Sequence, residues 1–226
     1  GAAGAATGAR QVAFADPLVA QHARELAAEK LAQVTYLRSL ADTKKAAQPA
    51  IDLGTAADGA FSTIARSAGL VGAGQSFDPY ASDNNFLLGA FLFEDVMVTA
   101  YKGLLPVIRV TEVRAAIAGL LGASSYHAGL IRTALYARGA ATASLRAATV
   151  SLSDARDALD GNADKDQGVT GTATASNVVP ANTNGIAFSR TAGQALSIAF
   201  LSKVATNKGG FFPSGVNGTV VNSSTS

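Results

Sequence analysis

Two apolar segments that carry isolated charged or ionisable side chains constrain this fold more than any other feature. Residues 85–101 are largely apolar, but Glu94 and Asp95 interrupt them. Residues 122–132 place His127 in a similar setting of small and apolar residues. Both segments have the length and composition of buried helices, and an unpaired carboxylate in such surroundings is costly. The sequence therefore predicts a helical bundle whose interior contains a polar or metal-binding site.

Composition excludes several classes of protein. Hydrophobic residues make up 48% of the chain and charged residues 15%, which indicates a globular rather than a disordered protein. The net charge is +2 and no long basic run is present, so we expect no nucleic-acid partner. Charged residues such as Lys102 and Arg109 break the best apolar stretch, so we expect no transmembrane segment. The absence of cysteine excludes disulfides and thiolate chemistry.

The periodicity of apolar residues predicts an all-α fold. Capping signals support the boundaries: Asp16-Pro17 opens the first long helix, Ser82 or Asp83 caps a later one, and Gly139 ends another. The predicted helices span residues 16–41, 56–68, 82–104, 111–138, 145–159 and 187–205.

Three regions differ in character along the chain. Residues 1–15 read as a flexible Gly/Ala-rich arm, and residues 16–159 as the bundle. Residues 160–226 hold a long Asn/Asp/Gly-rich loop, the final helix and a glycine-rich tail. Because a free tail would rarely expose two adjacent phenylalanines, we expect Phe211 and Phe212 to pack on the bundle.

Five short motifs together resemble one known family, the ferritin-like, desiccation-related proteins, which include exported bacterial members. They occur in the family's order over nearly the whole chain, at residues 8–10, 16–18, 86–96, 126–132 and 209–213. The resemblance implies a ferritin-like helical bundle with long irregular C-terminal loops. It also implies a di-metal site, for which two helices each supply a Glu and two others each supply a Glu-x-x-His pair.

Most of the metal ligands that the resemblance implies are missing. Lys30 and Gln33 stand where the first Glu-x-x-His pair is expected, and Ser124 replaces the Glu that should precede His127. A further Glu belongs to the family's first helix, which we expect to lie upstream of Gly1 and to be absent here. The remaining ligands are His127 and one carboxylate, Glu94 or Asp95. We therefore predict a degenerate site with no intact metal centre, no cofactor and no di-iron chemistry.

The surviving polar residues allow two interpretations. Glu94 and Asp95 are leftover ligands, or they form buried ion pairs with Lys30 or Arg132, and the second interpretation is favoured because Lys replaces a ligand Glu. His127 is a metal ligand or a hydrogen-bonded core histidine, and the second is again favoured. A rebuilt site would draw on Glu25, Glu29, Glu94, Asp95 and His127. Because neighbouring helical residues lie about 100° apart, Glu29 should not simply replace Lys30.

A calcium loop is the other metal candidate. Oxygen-bearing side chains occur at every second position, at Asp160, Asn162, Asp164 and Asp166, and Gly168 follows them. Lys165 interrupts the pattern and the bidentate Glu is missing, so an Asx-rich turn is the alternative. In the tail, Asn217 and Asn222 match the N-glycosylation pattern, which has meaning only in a eukaryotic secretory protein.

These observations lead to a functional hypothesis. We predict a non-enzymatic, exported, stress-associated structural protein that acts by self-association or surface binding. A bundle lacking one helix exposes an apolar groove, and a net charge of +2 gives little electrostatic repulsion between copies of the chain. We therefore expect a homo-oligomer, or a filament if the contact between copies is head-to-tail and does not close into a ring. The alternative is a metal-binding ferritin-like oxidase or iron store that uses the rebuilt site. Export is expected from the low charge, the small-residue start and the Ser/Thr/Asn-rich tail.

Overall fold

The computed structural model describes residues 3–225, and within them six α-helices and one pair of short strands. The expectation that the family's first helix lies upstream of Gly1 concerns a part of the protein outside these described residues. In chain order the elements are β1 Ala6–Thr7, α1 Pro17–Ala41, β2 Ile51–Asp52, α2 Ala60–Ser67, α3 Asp83–Leu104, α4 Thr111–Arg138, α5 Ala143–Asp160 and α6 Ala192–Ala199. A 3-10 turn, Asp42–Lys44, follows α1. The all-α prediction is confirmed.

Local sequence explains where the helices begin. The Asp16 side chain accepts a hydrogen bond from the Leu18 backbone N–H at 2.9 Å, and Pro17 occupies the first turn of α1. Ser82, rather than Asp83, caps α3 by accepting from the Asn85 N–H at 3.2 Å. Asp83 instead accepts from the backbone N–H groups of residues 15 and 16. This contact joins the start of α3 to the start of α1.

The bundle is built around α3 and α4, which share the most extensive helix contact and are joined by residues 105–110. Short connections favour antiparallel neighbours. Helix α5 packs against both, and α1 packs mainly on α4. The main core gathers Phe61, Leu87, Phe91 and Leu135 with other buried apolar side chains, while Tyr101, Ile117 and Leu120 form a smaller cluster.

The N-terminal arm, which the sequence predicted to be flexible, makes backbone contacts over its described residues. Ala6–Thr7 pairs in parallel with Ile51–Asp52, and the Gly4 N–H donates to Gln48 O at 2.8 Å. Glycine permits this approach, because a Cβ on Gly4 would lie 2.2 Å from the Ala50 nitrogen. The small residues that suggested mobility therefore allow a close backbone contact.

The final helix is shorter than the predicted span 187–205. It begins where Thr191 and Gln194 form a reciprocal capping box, and it stops at Phe200, next to Leu201 with a positive φ of 53°. The tail packs on the bundle as predicted. Phe211 is buried, and its ring centroid lies 5.0 Å from those of Phe61 and Phe93.

Candidate functional site

Helices α1, α3 and α4 bring four polar side chains together at the centre of the bundle. Lys30 comes from α1, Glu94 from α3, and Ser124 and His127 from α4. Glu94, Ser124 and His127 are buried, and Lys30 is partly buried. These are the positions at which the family resemblance placed the di-metal site, and we call this group the central cluster.

Lys30 supplies the positive charge of the central cluster. Its Nζ lies 2.8 Å from Glu94 Oε2 and 3.4 Å from the Ser124 hydroxyl oxygen, to which it donates. The replacement of a ligand Glu by Lys predicted an ion pair of Lys30 with Glu94 or Asp95, and the structure forms this pair with Glu94. An ammonium group here contacts a carboxylate that the family resemblance places among the metal ligands.

His127 links the buried carboxylate to the surface. Its Nε2 lies 2.6 Å from Glu29 Oε2, and its Nδ1 lies 4.0 Å from Glu94 Oε2. The Glu29 side chain is 46% exposed, whereas those of His127 and Glu94 are 8% and 7% exposed. Glu29 therefore does not take the place of Lys30, but its side chain reaches the histidine from the solvent side. The result is a short chain of titratable groups from solvent to the interior.

Burial sets the protonation properties of this centre. Desolvation raises the pKa of Glu94 above its ordinary value, although the hydrogen bond and charge of Lys30 and the charge of His127 oppose the shift. Desolvation also raises the pKa of the buried Tyr101, and the nearby Glu94 charge adds to that effect. Lys30 is therefore the main group that opposes the desolvation-driven rise in the pKa of Glu94.

The central cluster does not fit a di-metal centre. Such a centre needs several carboxylates and two histidines, but here an ammonium group and a serine hydroxyl stand at ligand positions. Nowhere among residues 3–225 do three or more His, Asp or Glu side chains converge in a way that could hold a metal ion. Glu29, Glu94 and His127 are close to one another, but Lys30 already contacts Glu94.

Asp95 belongs to a different, fully buried network. Its Oδ2 accepts from Arg132 Nη1 at 2.8 Å and from Arg156 Nη2 at 3.2 Å. Both arginine side chains are 0% exposed. The predicted alternative partner Arg132 is thus confirmed for Asp95, while Arg156 was not foreseen. Adjacent carboxylates on α3 serve separate sites because helical geometry turns successive side chains about 100° apart.

Arg132 attaches the long irregular loop to the bundle. Beyond Asp95, its guanidinium donates to the backbone oxygens of Gln167, Gly168, Asn177 and Val178 at 2.7–3.1 Å. A guanidinium has five N–H donors in a planar fork, so one side chain can hold two separate stretches of loop. The loop is irregular in conformation but closely tied to α4.

A third buried arginine completes the network. Arg190 donates through Nε to Asp160 Oδ2 at 2.6 Å and through Nη2 to Asp166, whose other carboxylate oxygen lies 2.7 Å from Arg156. Desolvation raises the pKa of Asp166, although Arg156 and Arg190 oppose this. Desolvation raises the pKa of the neighbouring Asp157 to about 7, with the charges of Asp166 and Asp164 adding to the rise.

The calcium-loop residues do not come together as one oxygen cage. Asp160 and Asp166 turn inward to Arg190. Asn162 and Asp164 instead line an open surface depression beside α5. In the tail, the Asn217 side-chain amide donates to Ala47 O at 2.9 Å, so the structure uses this predicted glycosylation position as a contact.

Sequence reasoning missed the Arg156 and Arg190 network and the Glu29–His127 contact. One signal was available: arginine is rare in the interior, yet Arg156 lies on the apolar face of an amphipathic helix. The partners of Arg190 could not be inferred, because the loop of residues 161–191 has no helical or strand periodicity that fixes its course.

The helical bundle and its central carboxylate–histidine cluster define a protein of the ferritin-like class. A family model described as a ferritin-like domain matches residues 1–137, and the chain belongs to that family. No solved structure matches it.

Two curated relatives are similar to the chain. A ferritin-like catalase, Nec2, from Nesocodon mauritianus is 30% identical over 156 residues, covering 64% of this chain and 50% of that protein. The desiccation-related protein PCC13-62 from Craterostigma plantagineum is 28% identical over 154 residues, covering 63% of this chain and 49% of that protein. The chain therefore spans about half the length of these relatives.

The comparison corrects one expectation. The sequence predicted that the chain is not an enzyme, because most metal ligands are missing. That prediction is contradicted by the similarity to a protein whose name is that of a catalase. Among residues 3–225, no helix is both long enough and apolar enough to cross a membrane.

Proposed function

We propose that this chain is a ferritin-like protein in which an ion-paired cluster has taken the place of the di-metal centre, and that it acts outside the cytoplasm by associating with itself or with a surface. One observation carries the proposal: Lys30 Nζ lies between Glu94 Oε2 and Ser124 Oγ, at 2.8 and 3.4 Å. Lys30 thereby supplies the counter-charge of Glu94 from within the chain itself.

Self-association is supported by the outer face of α1 and the neighbouring part of α4. Helix α1 buries only Val19, Ala20 and Gln33 and leaves most of its length accessible. Leu31 and Val34 on α1 are 69% and 54% exposed, and Tyr126 on α4 is 83% exposed. Large apolar side chains so accessible on packed helices are typical of contact surfaces. The net charge of +2 opposes such contacts little.

The oligomer is tested by light scattering coupled to size exclusion over a concentration series. We expect the wild-type protein to show a mass above that of the 22.7 kDa chain. The Leu31→Lys/Tyr126→Lys variant should show a lower mass. Val107→Lys is the matched control, because Val107 is 64% exposed but lies in the connection between α3 and α4. A monomer mass at every concentration would refute self-association. An unchanged oligomer in the double variant would place the contact elsewhere.

A second candidate function is peroxide breakdown, the activity in the name of the relative from Nesocodon mauritianus. The similarity to that relative is what favours it, and Glu29, Glu94 and His127 are of the carboxylate and imidazole types that the family implies as ligands. The test is oxygen release from hydrogen peroxide by protein incubated with manganese or iron and then freed of excess metal. Activity that His127→Ala abolishes would support this candidate, and no activity with either metal would remove it.

A further inference from the structure

A small cavity lies between helices α3 and α4 and the irregular loop that follows α5. Its volume is about 80 Å³, and no side chain of the central cluster lines it. One water molecule needs about 10–15 Å³ and cavities of about 150 Å³ take up benzene, so this space suits a compact molecule of a few heavy atoms. The lining is mostly apolar but includes four charged side chains, those of Asp95, Arg132, Lys165 and Asp166. We call this cavity the loop cavity.

Two of the four charged side chains are fully engaged with the protein itself. The five N–H donors of the Arg132 guanidinium are taken up by Asp95 and four backbone oxygens of the loop. The Asp166 carboxylate contacts Arg156 through Oδ1 at 2.7 Å and Arg190 through Oδ2. Arg132 and Asp166 therefore hold the loop in place and leave the recognition of a ligand to the other two charged groups.

The other two charged side chains, Asp95 and Lys165, have opposite signs and are only partly engaged. Asp95 is 4% exposed, and Arg132 and Arg156 both contact its Oδ2. Its Oδ1 has no hydrogen-bond partner within residues 3–225. In the same part of the chain, the one ion pair of Lys165 Nζ is with Asp160 Oδ2 at 4.0 Å, which is too long for a hydrogen bond. A buried acceptor without a donor is costly, so the loop cavity favours a ligand that donates to Asp95 and accepts from Lys165.

We propose that the loop cavity binds a compact zwitterion, of which free glycine is the simplest example. The ammonium group of the ligand donates to Asp95 Oδ1, and its carboxylate accepts from Lys165 Nζ. In their ionised forms the four charged side chains of the lining carry two positive and two negative charges. A ligand without net charge keeps this balance, whereas a simple cation or anion leaves one charge uncompensated in a mostly apolar space. An apolar lining with a few well-placed polar groups is the usual composition of a small-molecule site.

The walls of the loop cavity limit the size of the zwitterion. The loop is fixed to α3 on the far side of the cavity, because Lys102 Nζ donates to Ala187 O and the Arg190 N–H donates to Thr99 O at 2.9 Å. A volume of about 80 Å³ is smaller than that of cavities that take up benzene. Phenylalanine carries the same two charged groups as glycine together with a benzene ring, so the loop cavity should exclude it.

The experiment is isothermal titration calorimetry of the whole protein with glycine at constant ionic strength. We expect saturable binding of glycine and none of phenylalanine. Acetate, methylammonium and ethylene glycol each lack one or both charged groups and should bind at least tenfold more weakly. Lys165→Gln should also weaken glycine binding at least tenfold, and it removes no ion pair closer than 4.0 Å.

Two glycine substitutions on α4 test the location of the site. Gly129 lines the loop cavity, and a Cβ at this position would meet no atom within 4 Å. Gly129→Leu should therefore occupy the cavity and abolish glycine binding. Gly122→Leu is the matched control, because a Cβ there is equally unobstructed and Gly122 does not line the cavity. Leucine favours a helix more than glycine does, so both variants should fold, which their thermal transitions check.

Three outcomes would overturn the proposal. The first is the absence of saturable glycine binding by the wild-type protein. The second is equal affinity for acetate, methylammonium or ethylene glycol, because the ligand would then not need both charged groups. The third is unchanged glycine binding in both Lys165→Gln and Gly129→Leu, which would place the bound glycine elsewhere on the protein.

Discussion

The ammonium nitrogen of Lys30 lies 2.8 Å from Glu94 Oε2, at a position where the ferritin-like family implies a metal ligand. The Lys30 ammonium group thus compensates the charge of Glu94, whose side chain is only 7% exposed. Removing one partner of a buried ion pair usually costs more than the pair contributes, because the other charge stays buried without compensation.

The first prediction reverses that charge. Lys30→Glu should lower the free energy of unfolding by about 3 kcal/mol or more, because it places a second carboxylate against Glu94. The measurement is chemical denaturation at neutral pH. Arg24→Glu makes the same charge change at an exposed position of α1 and should cost far less. Equal stability of the Lys30→Glu variant and the wild-type protein would refute the structural role of the pair.

The second prediction concerns the loop tether. Arg132→Lys should destabilise the protein by about 3 kcal/mol, because an ammonium group cannot reach Asp95 and four backbone oxygens at once. Hydrogen exchange should rise in residues 167–178 before it rises in α3 and α4. Arg114→Lys, at an exposed position of α4, is the control. Unchanged exchange in the loop would mean that other contacts hold it.

The third prediction is a pH dependence centred on Asp157. Its pKa is raised to about 7 in the folded protein, chiefly by desolvation, against an ordinary value near 4 when unfolded. Between about pH 4 and pH 7 the folded state therefore binds more protons than the unfolded state, so this group lowers stability as the pH rises. The cost is fully present above pH 7.

Asp157→Asn should remove that cost. The variant should melt higher than the wild-type protein at pH 8 and close to it at pH 4.5, with roughly 2–4 °C for each kcal/mol gained. Asparagine can still accept the hydrogen bond from the Lys165 N–H, which measures 3.0 Å. Asp154→Asn, at an exposed position of the same helix, controls for the loss of one charge. A gain in stability that does not change with pH would contradict the assignment to Asp157.

The fourth prediction concerns the tail. Phe211→Ala should cost about 3–5 kcal/mol, since Phe211 is 2% exposed and packs against Phe61 and Phe93. Phe212→Ala should cost less, because that side chain is only partly buried. Ending the chain after Lys208 should lower the melting temperature at least as far as Phe211→Ala does. Identical melting of the shortened and full chains would show that the tail packing contributes nothing.

Sequence predicted the helices and the pairing of Lys30 more readily than the loops. Capping residues such as Asp16 and Ser82 act through their nearest backbone neighbours, so local sequence is sufficient to locate them. The Lys30–Glu94 pair could be predicted because a buried carboxylate needs a compensating positive charge, which Lys30 supplies. The partners of Arg190 depend on the course of an irregular loop that no periodicity encodes, and the pairing of β1 with β2 depends on a backbone approach that glycine permits.

Metal analysis of the purified chain tests the central claim most directly. The protein is prepared without chelator, supplied with iron and with manganese in separate samples, and freed of unbound metal before elemental analysis. We predict metal well below one equivalent per chain, because Lys30 and Ser124 stand at ligand positions and Glu94 is already paired. One or two equivalents of tightly bound metal, lost in His127→Ala, would contradict the ion-paired centre.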